Sequence, residues 1–187
     1  YQILSRENIE TLKETFGSRG EKKLVVTCPH CFTTIGRDYK DQGFELTMIH
    51  HSQLLNQLVK DGKLKVSPHK QGAKITFHDP CYLGRHNQIY QPPRELLEAT
   101  GADLTEMPRN QERSFCCGAG GGRMWQEEKL GTRINLNRVD EALATGADQI
   151  AVGCPFCRIM ISDGVAGRGS EKEVLDLAQV LLTNIKP

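Results

Sequence analysis

Two matching segments constrain this chain most, each an apolar strand running into Cys-Pro-x-Cys and then a helix. The first reads LVVTCPHC and is followed by HHSQLLNQL; the second reads QIAVGCPFC and is followed by DLAQVLLTNI. Cys28 stands 25 residues before Gln53, as Cys154 does before Gln179. Upstream of each lies a run with apolar residues at three- and four-residue spacing, ENIETLKETF and INLNRVDEALA, followed by Gly17 and Gly146 as expected at a helix C-terminus. Pro29 and Pro155 fall in the first helical turn, where proline is best tolerated. The strand segments 24–27 and 149–153 are short and unalternating, as buried parallel strands are. The expected fold class is α/β: two pseudo-repeated units with short parallel sheets flanked by helices.

The copies are unequal. Cys81, Cys116 and Cys117 precede the second pair, whereas only 27 residues and no cysteine precede Cys28. The first unit therefore reads as truncated, with residues 1–72 as the C-terminal remnant of one unit plus a linker and 73–187 as a complete second unit. The linker is the polar stretch DGKLKVSPHKQG, 61–72. A chain beginning at Tyr1 reads as a piece of something longer, so the expectation includes a missing N-terminal part.

Seven cysteines in 187 residues is a high and odd number. A secreted disulfide scaffold is shorter and even-numbered, whereas Cys-x-x-Cys and Cys-Cys groups point to thiolates around metal in a reducing compartment. The expected location is the cytoplasm, or the cytoplasmic face of a membrane through parts outside this chain. With 24 basic and 23 acidic residues the net charge is +1, which gives no reason to expect nucleic acid. No apolar run reaches the roughly 20 residues of a membrane-spanning helix.

Cys81 opens a turn after the strand KITFHD; Cys116-Cys117 runs into GAGGG; Cys154 and Cys157 sit at a strand-to-helix turn. Thiolates bind soft iron well, and a helix N-terminus keeps thiols ionised. Adjacent cysteines point to opposite faces of a regular strand, so both reach one centre only if the backbone bends or the centre is large. Gly118, Gly120 and Gly121 permit such bending, and their amides are candidates to hydrogen-bond sulfur. A structural zinc takes four ligands and leaves one thiolate over, so five suit a multi-iron cluster better, with zinc as the alternative.

Cys81, the Cys116-Cys117-Gly118 triplet and Cys154-Pro155-Phe156-Cys157 resemble the cysteine-rich CCG domain. That family includes the catalytic B subunit of heterodisulfide reductase, subunits of glycolate and lactate oxidation systems, and bacterial membrane-associated oxidoreductases fed by electron-transfer flavoprotein. The wording HDPCYLGRHN, MPRNQERSFCCGAGGGRMW and CPFC is most similar to the last group. The resemblance implies a noncubane 4Fe–4S cluster on Cys81, Cys116, Cys117, Cys154 and Cys157. It also implies a flavoprotein or other redox subunit as partner, with electrons relayed toward quinone or another acceptor. Cleavage of a disulfide at the same site is the competing version, and a zinc-stabilised interaction module without redox role is the competing class.

Cys28 and Cys31 match only the closing pair of a first motif and cannot complete a cluster alone; taken by themselves they look like a thioredoxin-type pair. The chain length from Cys31 to Cys154 speaks against a compact zinc ribbon built from the two pairs. His78, Arg85 and His86 flank Cys81 and are the candidate catalytic or partner-lining residues. The stretch His50-His51-Ser52 precedes a helix and reads as capping or solvating its start. The glycine run neither follows a strand nor has the spacing of a phosphate-binding loop.

Overall fold

A computed structural model describes residues 1–67, 73–126 and 129–185. Helix α1 (Gln2–Phe16) leads to β1 (Lys23–Val26), the short α2 (Pro29–Thr33), β2 (Thr47–His50) and α3 (His51–Lys60). Then follow β3 (Lys74–His78), α4 (Gln91–Ala99), β4 (Asp103–Leu104), α5 (Ile134–Ala144), β5 (Gln149–Val152), α6 (Pro155–Gly167), β6 (Glu173–Asp176) and α7 (Leu177–Leu182). The expected α/β class with short parallel sheets is what forms. Strands β1 and β2 pair in parallel, and the second sheet runs β4-β3-β5-β6 with every neighbour parallel.

The repeat is geometric as well as textual. Lys23 pairs Thr47 and Gln149 pairs Glu173, a separation of 24 residues in both copies. Each second strand ends on the N-cap of a helix held by a capping box, His50 with Gln53 in α3 and Asp176 with Gln179 in α7. His51 Nε2 lies 3.0 Å from Asp176 Oδ1, so the first copy's helix start touches the second copy's cap.

Residues of β5 alternate between two apolar layers, as strand geometry requires. Ile150 and Val152 face Val139 and Ile161 of α5 and α6; Ala151 faces Phe77, Leu97 and Leu177. Helix α3 adds Leu55 and Val59 to that second layer, so the first unit packs on the second unit's core. A smaller cluster of Ile9, Tyr39, Phe44 and Leu46 holds α1 to the first sheet. In the segment expected as linker, Leu64 and Val66 pack against the larger core and Val66 bridges Ile185; its residues 68–72 lie outside the described residues.

Candidate metal centre

Strands β3 and β5 are neighbours in register, His78 beside Val152, and both end at the same edge of the sheet. Cys81 leaves that edge from β3, and Cys154 leaves it from β5 as the N-cap of α6. The segment after β4, on the other side of β3, brings Cys116 and Cys117. This is where open α/β sheets place their ligands, outside the carboxyl ends of the strands.

The segments carrying Cys81 and Cys116-Cys117 are tied together by a buried ion-pair network. Asp79 accepts from Arg94 Nη1 and Nη2, each at 2.8 Å, and its Oδ2 also accepts from the Gln111 amide at 2.8 Å. Arg94 continues to Glu106 at 2.6 Å. Both Arg94 and Asp79 are buried. A bidentate guanidinium–carboxylate pair fixes direction as well as distance, so the turn after β3 and the loop before Cys116 are held as one piece.

The thiols lie near enough to act on one another in sequence, from Cys81 through Cys116, Cys117, Cys157 and Cys154 to Cys28, with Cys31 beside Cys28. All five cysteines expected to act together are thereby brought together. Cys117, Cys154 and Cys157 are buried, whereas Cys81 and Cys116 are half-buried. Contacts from Cys117 and Cys81 pull the Cys116 thiol far below its ordinary range, helped by the Gly118 amide at 3.2 Å. Contacts from Cys157 and Cys28 pull Cys154 down to about 4. Their partners move the other way: Cys81 and Cys157 go up, and Cys117 is pushed up to about 12, chiefly by Cys116. Crowded thiols share protons in this manner, and a bound cation reverses it by ionising them all.

Gly118 is the glycine that serves a sulfur. Its φ of 88° lies in the left-handed region, and a Cβ would meet Ile134 at 3.1 Å. Gly120 and Gly121 face open space. Of the residues flanking Cys81, Arg85 and His86 are exposed, His86 stacking on Tyr82 at 4.3 Å. His78 is buried behind the thiols, with a ring nitrogen within 4.8 Å of the Cys117 and Cys157 sulfurs. Burial, then the Arg138 charge, hold its pKa down at about 3.

The two Cys-Pro-x-Cys pairs, far apart in sequence, meet in space. The ligand atoms of Cys28, His30 and Cys154 lie within 4.8 Å of one another. Contact with Cys154, then burial, push Cys28 up to about 11; burial, then Cys28, push Cys31 up to about 11. Sequence reasoning missed His30, whose ring lies 4.1 Å from Tyr82 and edge-on to Phe156, and Arg138, which is fully buried. Arg138 had a signal: with Asn135, Val139 and Ala142 it shares the buried face of α5. His30 had none beyond its place between two cysteines.

Residues 75–162 match the CCG cysteine-rich domain family, from β3 into α6 and across all five cysteines. The chain is 43% identical over 188 residues to the "Probable iron-sulfur-binding oxidoreductase FadF" of Bacillus subtilis, spanning 99% of this chain and 26% of that protein. It is 42% identical over 190 residues to the "EtfAB:quinone oxidoreductase" of Syntrophomonas wolfei, covering 97% of this chain and 26% of that protein. Against a component of the dihydromethanophenazine:CoB--CoM heterodisulfide reductase of Methanosarcina barkeri, identity is 35% over 184 residues, or 95% of this chain and 43% of that protein. The chain thus spans about a quarter of the first two relatives.

Proposed function

From a chain that carries a CCG cysteine-rich domain at residues 75–162, we propose an iron–sulfur electron-transfer oxidoreductase that holds a noncubane 4Fe–4S cluster on Cys81, Cys116, Cys117, Cys154 and Cys157. The observation that carries this reading is the continuous thiol path through all five residues at the sheet's carboxyl edge. The donor set fits: sulfur is the ligand soft iron prefers, and five thiolates exceed the needs of one tetrahedral zinc. When bound, such a cluster takes up and passes on electrons.

The chain's own residues do the rest. Cys154 and Cys157 present two sulfurs from the first turn of α6, whose N-terminal dipole favours negative charge. Cys116 and Cys117 reach one centre because the chain turns at Gly118, and the Gly118 amide donates to the Cys116 sulfur. Asp79, Arg94 and Gln111 keep Cys81 facing this loop. Residues 1–72 are read as the end of a preceding unit and 73–187 as the complete one.

The proposed partners are the remaining part of a longer protein and a flavoprotein, with electron-transfer flavoprotein as donor and quinone as the distal acceptor. That assignment takes support from the name of the Syntrophomonas relative. No described helix is long and apolar enough to cross a membrane, and one relative from Chromohalobacter salexigens is described as a "Probable membrane-anchored ferredoxin". Placement on the cytoplasmic face through parts outside this chain is the matching proposal.

Anaerobically prepared protein is expected to contain iron and acid-labile sulfide with visible absorption that dithionite bleaches. Cys117→Ser should lose most of that iron. Stoichiometric zinc without iron, or unchanged iron in the variant, would refute the assignment.

A further inference from the structure

His78 and Arg138 form a buried pair whose hydrogen-bonding chemistry has one solution. A guanidinium donates and never accepts, so Arg138 Nε, 3.0 Å from His78 Nδ1, donates to it. Nδ1 must therefore be bare. A neutral imidazole with a bare Nδ1 carries its proton on Nε2. Arg138 cannot easily turn away: its Nη1 donates to Glu141 Oε2 at 2.6 Å and to the Arg109 carbonyl at 2.8 Å, and Arg109 also pairs with Glu141.

The Nε2–H so fixed has no protein partner among the described residues, although His78 is only 1% exposed. Leaving a buried donor unmatched costs about 1–3 kcal/mol. The sulfurs of Cys117 and Cys157 lie within 4.8 Å of a ring nitrogen, and Nε2 is the nitrogen left to serve them. The same tautomer excludes His78 as a metal ligand, because one nitrogen's lone pair is engaged by Arg138 and the other nitrogen bears hydrogen.

We infer that His78 is a positioning donor at the five-cysteine centre, its Nε2–H held by Arg138 and aimed so that in the loaded centre it hydrogen-bonds a ligand sulfur of Cys117 or Cys157 and stabilises the reduced state. The inference rests on the ligand assignment proposed above. A sulfur gains negative charge when the centre is reduced, so a fixed donor favours reduction and raises the potential. Gln is the conservative replacement, since its carbonyl oxygen can accept from Arg138 while its amide donates to sulfur. Phe preserves ring volume and offers neither group.

Two measurements separate the inference from its premise. In the metal-free chain, long-range ¹H–¹⁵N NMR of the His78 ring should show the Nε2–H tautomer; an Nδ1–H tautomer overturns the lock. In the iron-loaded chain, redox titration with iron counted in each sample should give a more negative midpoint for His78→Phe and a midpoint near wild type for His78→Gln. Equal midpoints for wild type and His78→Phe at full iron content overturn the donor role. Wild-type chain that takes up no iron overturns the ligand assignment and the donor role together, while the NMR result still reports the Arg138 lock. Should His78→Phe fail to fold, nitrogen hyperfine spectroscopy on the reduced centre decides, in protein labelled with ¹⁵N at histidine alone and carrying His30→Asn. A histidine ring-nitrogen coupling supports the donor, and its absence removes it.

Discussion

In the first unit β1 has a single partner strand and leaves Val25 exposed, whereas in the second β5 lies between β3 and β6 with its last three residues buried. After Cys28 the helix lasts five residues before loosening into a π turn at Thr34–Asp38 and a 3-10 turn at Lys40–Gln42. After Cys154 it runs unbroken for 13 residues. The cause is local. The first copy has Thr33, Thr34 and Gly36, all poor helix formers, and the Thr33 hydroxyl bonds back to the Pro29 carbonyl at 3.1 Å. The second copy has apolar residues that α5 and β5 bury. Equal register with unequal support teaches that one spacing can be backed by a four-stranded, two-layered core in one copy and by a single strand pair in the other.

The strongest way to break this comparison is at the cysteines themselves. Cys154→Ser should remove most iron, whereas Cys28→Ser, its counterpart outside the five-ligand set, should leave iron content near wild type. Equal losses, measured by metal analysis under argon, would mean that the two copies share one centre.

Acid acts on the first copy's cap. His50 is held down at about 4, first by burial and then by the neighbouring His51, against an ordinary value of 6.5. Its neutral form is the one the fold prefers, so its stabilising contribution is complete above pH 6.5 and is lost as pH falls through about 4. That contribution is at most about 3 kcal/mol. His50→Asn, which keeps a good cap and removes the titration, should flatten the acid limb of a denaturation-midpoint profile between those values. An unchanged limb would place the acid sensitivity elsewhere.

The smallest test concerns two glycines. A methyl group at Gly164 would meet Val139 Cγ2 at 2.7 Å and the Asn135 carbonyl oxygen at 3.2 Å, across the contact between α5 and α6. At Gly36 it would meet Met48 Cγ at 2.6 Å, on a flexible side chain. Gly164→Ala is expected to cost about 1–3 kcal/mol and Gly36→Ala less than about 1 kcal/mol, read from urea melts. Equal costs would show that the first unit is packed as tightly as the second.

The strand before each cysteine pair was legible because a short apolar run ending in Cys-Pro is a strong local signal, and the stretch His50-His51-Ser52 was legible as a helix start from the pattern after it. The strands β2, β4 and β6 were not, since TMIH, DL and EVLD are too short to show a period. Among the candidate site residues, the five cysteines stood out by spacing. The bond from Arg94 to Asp79, the seat of Arg138 against His78 and the meeting of Cys28 with Cys154 join residues 15, 60 and 126 positions apart. Only the folded chain decides such pairings.

The tie among Asp79, Arg94, Glu106 and Gln111 has a consequence for upkeep. Its bonds run between carboxylates, a guanidinium and a backbone amide, so the two loops stay aligned by forces that oxygen does not attack. On the proposed reading, a cluster lost to oxidation would leave the alignment of these two loops intact, because that alignment is maintained by chemistry other than the thiols' own.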